Sequence, residues 1–192
     1  NHVLSSQKNI LLGMSYPTYQ KVNCKKALKL IAKFQFPYNM LPCIYNSIVS
    51  IKAIKAVKKK SIENKFFSGV IPDVYSSIAL SSEIQFSFFL HFPLSINGAS
   101  SKSSGVIQGL VKKTENQKKQ INDVLNSHKI YHEHIGPFNT SVASIIMGEY
   151  ILAKENICNF SGPHPSWYYY IMYLKREARL SSNPNEIIKS VN

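Results

Sequence analysis

Between positions 19 and 35 the chain reads YQKVNCKKALKLIAKFQ, which places Val22, Ala27, Leu28, Ile31 and Phe34 at mostly helical intervals with lysines opposite. That spacing predicts an amphipathic helix, which Pro37 stops because proline supplies no N–H and clashes with the preceding turn. After the link FPYNMLP a second helix is expected over residues 45 to 60, with Ile48, Ile51, Ile54 and Val57 inward. Its lysine run, Lys58 to Lys60, falls at the C-terminal end, where the helix dipole favours cations.

Next the period changes. KFFSGVI reads as a short strand leading into Pro72 and Asp73, and Tyr75 to Ser82 suits a helical turn with Ser76 or Asp73 as N-cap. IQFSFFLHFPLSI is rich in Phe and Ile, as a buried strand pair would be, and it empties into the loop NGASSKSSG. Residues 114 to 127, 140 to 156 and 166 to 180 return to helical periodicity. The expected organisation is one α/β domain over 1–192, its sheet in 1–110 and a helical part in 111–192, with no internal repeat or linker to mark a second domain.

Composition narrows the function. With 44% hydrophobic residues, including 10 Phe and 11 Tyr, the chain can bury a core, and no apolar run approaches the length of a membrane span. A soluble, cytoplasmic protein is expected. Cys24, Cys43 and Cys158 are odd in number and lack zinc-site spacing, which argues against a secreted disulfide framework. The net charge of +13, carried by lysine with only Arg176 and Arg179 beside it, points to an anionic partner: a phosphate-bearing substrate, a nucleic acid or an anionic membrane surface. No nucleic-acid-binding module is recognisable, so no specific nucleic acid is expected as partner.

Asp73 is one of two aspartates in the chain, the other being Asp123. It has two candidate roles: a helix cap accepting a backbone N–H, or a catalytic base at the end of a strand, where active-site groups of α/β folds gather. Three motifs bear on the choice. LPxxYN (Leu41, Pro42, Tyr45, Asn46), PDVYSS (Pro72 to Ser77) and PLSINGASSKSSG (Pro93 to Gly105) follow one another in an order that resembles family 2 glycosyltransferases of the GT-A fold, over residues 35 to 110.

The resemblance implies transfer of a sugar from a nucleotide-diphosphate-sugar to an acceptor hydroxyl, on a partial GT-A-like mixed sheet flanked by helices. It makes Asp73 the candidate base, with Tyr75 and Ser76 shaping the pocket. Asn97, Gly98 and Ser100 would bind substrate through a loop whose small residues let backbone N–H groups approach an anion. It also implies a divalent cation, Mn or Mg, for the full enzyme, and a carbohydrate or lipid-linked acceptor. The chain departs from the family in having no Asp-x-Asp, the family's motif for metal and diphosphate, and no nucleotide-binding units ahead of it. The expectation is therefore an acceptor-side C-terminal half, a fragment of a longer transferase that is inactive alone.

Other clusters yield to simpler readings. His128, His132 and His134 lie in SHKIYHEHIGP, but no third and fourth ligands are evident and Gly136-Pro137 ends the element. His91 and His164 beside prolines are given structural roles, and Cys43 that of a small buried apolar residue. SWYYYIMYLKREAR could stack sugars or dock on a membrane surface through Lys175, Arg176 and Arg179, but a packed amphipathic helix explains it more simply. Two alternatives to the transferase stay open: a non-catalytic interaction or acceptor-binding module derived from one, and a basic nucleic-acid-binding protein.

Overall fold

A computed structural model describes residues 18–69, 71–91, 114–116, 119, 135, 141–180, 184 and 187. In chain order the elements are β1 (Tyr19–Asn23), α1 (Cys24–Ile31), a 3-10 turn (Tyr38–Met40), α2 (Ile51–Lys60), α3 (Pro72–Glu83), β2 (Phe86–Leu90), α4 (Val142–Asn156) and α5 (Trp167–Leu180). The architecture is mixed α/β, and the sheet among the described residues is a two-stranded antiparallel ribbon, β1 against β2.

The helix expected from residue 19 starts only at Cys24. Asn23 ends β1 and caps α1, its side chain accepting the Lys26 N–H at 3.0 Å, so the local cap divides strand from helix. Within α1, Cys24, Ala27, Leu28 and Ile31 recur at helical spacing and are buried, while Lys25, Lys26 and Lys29 are exposed. The stop comes before Pro37. Phe34 turns left-handed at φ 55°, its N–H bonding the Ile31 carbonyl at 2.8 Å and the Gln35 N–H reaching Leu30 at 2.8 Å. This is a Schellman closure with phenylalanine where glycine is usual, and the Phe34 ring is held against Tyr170 and Tyr173 at 6.0 and 5.5 Å.

The second expected helix is shorter than 45 to 60. It begins at Ile51 behind Ser50, whose hydroxyl accepts the Lys52 N–H at 3.2 Å. Val57 faces the core and Lys58 to Lys60 occupy the last turn as expected, but Ile48 and Ile51 are exposed rather than inward.

KFFSGVI forms no strand among its described residues; it is irregular chain, with Phe66 and Ile71 partly buried against the core, and Ile71 stands at the start of α3. Within IQFSFFLHFPLSI the strand is β2, and its partner is β1, in the register Tyr19↔Leu90, Lys21↔Phe88 and Asn23↔Phe86. β2 is not a buried strand pair either: Phe86 and Phe88 point to solvent on the face they share with Tyr19 and Lys21. Phe89, on the other face, packs on the core.

The centre of the fold is α3, buried from Val74 to Ser82. It packs against α1, α2 and α4. Four serines enter that interior because each hydroxyl is satisfied within the helix. Ser76 and Ser77 donate to the Asp73 carbonyl at 3.2 and 2.6 Å, Ser81 to Ser77 at 2.7 Å and Ser82 to Ala79 at 2.7 Å. A second cluster joins α4 and α5 through Met147, Ile151, Tyr170, Leu174 and Ala178. There the Ser141 hydroxyl caps α4 at 3.2 Å from the Ser144 N–H and donates to Glu177 at 2.6 Å. No helix among the described residues is long and apolar enough to cross a membrane.

Candidate functional site

α3 begins with Pro72, whose missing N–H costs nothing at the first helical position and whose fixed φ suits it. The N-cap is therefore Ile71, which has no side-chain cap, and Asp73 lies one residue inside the helix. The expectation that Asp73 or Ser76 caps this helix is thus corrected: proline at the first position moves the boundary upstream. The role that an acidic residue on the helix's own first turn would play, accepting the N-cap N–H, falls to Glu149 from α4, whose Oε1 takes the Ile71 N–H at 2.6 Å.

The Asp73 carboxylate is consequently uncommitted. It is half-buried, and no hydrogen bond or ion pair holds it among the described residues. Its electrostatic neighbour is Tyr38, on the 3-10 turn that packs against α3. Burial pushes the Tyr38 phenol up, and the negative charge of Asp73 adds to the rise, followed by Cys43. Two of the three sequence motifs therefore meet. Leu41 and Pro42 of LPxxYN are buried beside that turn, while Tyr45 and Asn46 open onto a groove of about 790 Å³ between the segment 39–50 and β2. Asn39 and Met40 line the groove and Tyr38 neighbours Asp73, so the single turn separates the carboxylate from it.

Tyr75 and Ser76, expected to shape the pocket, are both fully buried, and the structure places them in the packing behind the carboxylate. Their helix is packed against α1, α2 and α4 and is buried at every position from Val74 to Ser82. Asn97, Gly98 and Ser100, and His128, His132 and His134, lie outside the described residues. His91 is exposed, His164 has Nδ1 3.2 Å from the Pro165 carbonyl, and Cys43 is buried with its N–H on the Ser47 hydroxyl at 3.1 Å. Tyr38 and Glu149 were missed. The signal for Glu149 was present, as a lone acid amid the apolar run SIIMGEYILA; Tyr38 gave none, being one tyrosine in an irregular link.

Behind Asp73 sits a buried polar group: Glu149 and Tyr75, both wholly enclosed, with Gly69 against them. Burial raises the Tyr75 phenol most. Ser68 offsets part of the rise, Glu149 adds to it, Asn156 offsets it again and Glu63 adds slightly, yet no hydrogen bond of ordinary length reaches the phenol oxygen among the described residues. A side chain at Gly69 would collide with the Glu149 carboxylate and would come within 2.6 Å of Tyr75 Cβ and 2.7 Å of its ring. Gly69→Ala should therefore destabilise the fold by about 2 kcal/mol, the cost of overpacking a filled site. Denaturant unfolding measures it, and an unchanged midpoint would mean that this packing is absent in solution.

Tyr150 and Tyr170 join Tyr38 and Tyr75 in having phenols raised above their ordinary value, burial being the leading cause in each. A folded-state value above the unfolded one makes the stabilisation complete below about pH 10 and progressively lost as pH rises beyond it. Alkaline titration should show a late group of tyrosines ionising together with loss of helical ellipticity. A single tyrosinate transition near pH ~10 with the fold intact would refute it.

Among the described residues no three His, Cys, Asp or Glu side chains come together to hold a metal ion. Comparison of the chain with protein-family models, curated proteins and solved structures finds no match.

Proposed function

We propose that the chain is the acceptor-side part of a family 2 type glycosyltransferase with a partial GT-A fold, acting in the cytoplasm on a nucleotide-diphosphate-sugar and a carbohydrate or lipid-linked acceptor. The observation that carries the reading is that Asp73 is fixed in position yet not used by the fold. Pro72 and Glu149 define the helix start without it, the Ser76 and Ser77 hydroxyls bond its main-chain carbonyl, and its side chain is left without a partner among the described residues. Its charge favours the first turn of the helix, an interaction that leaves both carboxylate oxygens open to a substrate.

In the proposed step the Asp73 carboxylate accepts the proton of the acceptor hydroxyl as that oxygen attacks the anomeric carbon. The bond from that carbon to the diphosphate oxygen breaks, and the nucleoside diphosphate leaves with the electron pair. Tyr38, beside Asp73, has a phenol that stays protonated and can donate a hydrogen bond to the same acceptor. Glu149 acts through its bond to Ile71, as a positioning residue.

Acceptor binding tests the assignment on the chain as it stands. In a resonance-resolved titration with a panel of mono- and oligosaccharides, at least one acceptor should shift the amide signals of Asp73, Val74 and Tyr38. If the whole panel leaves those signals unmoved, the reading is lost.

A further inference from the structure

The outer side of that groove, on segment 45–51 and the ribbon, has chemistry that the proposed transfer step does not use. Ile48 is 94% exposed, Tyr45 68%, Ile51 63% and Phe88 60%, and Tyr45, Ile48 and Phe88 line the same groove. These are not scattered apolar residues, because Tyr19 stacks edge-on against Phe88 at 5.6 Å and continues the patch along β1. Lys21 lies with Nζ 4.0 Å from the centre of the Phe86 ring, on the same ribbon face, and Lys52 and Lys55 are exposed on α2, beside the exposed Ile51 in sequence. From residue 18 to residue 62 the chain carries ten lysines and no aspartate or glutamate, so nothing acidic from this half opposes an anion.

We propose that this patch docks the protein on an anionic lipid surface, with Ile48 and Phe88 entering the acyl boundary and Lys21, Lys52 and Lys55 meeting the headgroup phosphates. The combination decides the partner. A nucleic-acid duplex would satisfy the lysines but offers no apolar medium for a protruding isoleucine and phenylalanine, whereas the boundary of a bilayer supplies both. The lysines alone would give an electrostatic attraction that salt removes, and the apolar side chains alone a weak partition indifferent to lipid charge. The inference does not rest on the role of Asp73.

Sedimentation with vesicles tests it, using phosphatidylcholine with and without phosphatidylserine. The full chain should bind the mixed vesicles and leave the neutral ones, and binding should weaken as salt is raised. The double variant Ile48→Ser/Phe88→Ser should lose about tenfold or more in partitioning while the chain stays folded, its melting temperature falling only by the small loss of the Tyr19–Phe88 edge contact, because Ile48 is almost wholly exposed and Phe88 more than half. Reversal of Lys21 or Lys52 to glutamate should each cost about fivefold or more. Failure to bind mixed vesicles overturns the proposal. So does binding that survives the Ile48→Ser/Phe88→Ser change while vanishing with lysine reversal, which would leave a plain cationic surface. If the double variant instead dissociates a dimer seen by analytical ultracentrifugation, a second copy covers the patch and the lipid assignment falls.

Discussion

Replacing Asp73 by asparagine is expected to lower sugar transfer on the order of 10²-fold or more while the melting temperature stays near that of the wild type. Asparagine keeps the shape of the side chain but accepts no proton at neutral pH. The structure sharpens the expectation on stability, because Asp73 neither caps α3 nor pairs with another side chain among the described residues, so the amide removes no structural bond of the carboxylate. What it gives up is the favourable interaction of a negative charge with the first turn, about 0.5 kcal/mol. The assay is transfer from a panel of nucleotide-sugars by the complete product of the gene, beside thermal melts of both forms. Tyr38→Phe provides the contrast: it removes one hydrogen-bond donor and should cost less than Asp73→Asn. Asp73→Asn activity within a few-fold of wild type would take Asp73 out of the mechanism, and a large loss of stability would make it structural.

The helices were legible to the extent that their period was strong. α4 and α5 fall within two residues of the expected 140 to 156 and 166 to 180, because Ser141 caps the one and a run of tyrosines and aliphatics carries the other. α1 was found by its lysine and apolar faces, but its start was misplaced: YQKVN is as compatible with a strand as with a helical turn, and the choice is made by pairing with Phe86–Leu90, over 60 residues away. The same non-local term decided against KFFSGVI as a strand. Its apolar content met the strand pattern, but a close fit of Gly69 against Tyr75 and a bond from Ile71 to Glu149 fix that segment instead, and neither is visible in local spacing. The candidate site followed suit. Asp73 was readable from its motif, whereas the burial of Tyr75 and Ser76 depends on α3 being packed against α1, α2 and α4, which local spacing does not show.

Glu149→Leu should destabilise the protein by about 3 kcal/mol, and the reasoning separates two effects that usually oppose each other. Exchanging a buried carboxylate for an apolar side chain of similar size is often neutral or favourable, because the cost of desolvating the acid disappears. Here the carboxylate serves the backbone: its Oε1 takes the Ile71 N–H at 2.6 Å across 78 residues of sequence, and Ile71 has no side chain able to cap α3. Leucine would leave that N–H without its acceptor at the point where irregular chain enters the core, a loss that outweighs the saved desolvation. Glu149→Gln keeps an oxygen acceptor and should lose roughly half as much, so the order wild type, Gln, Leu in denaturant midpoint is the signature of the cap. Because the Ile71 bond holds the chain immediately ahead of Asp73, the Leu variant should also lose sugar transfer at temperatures where it is still folded. A Glu149→Leu protein as stable as wild type, or more so, would show that the carboxylate does not hold the start of α3.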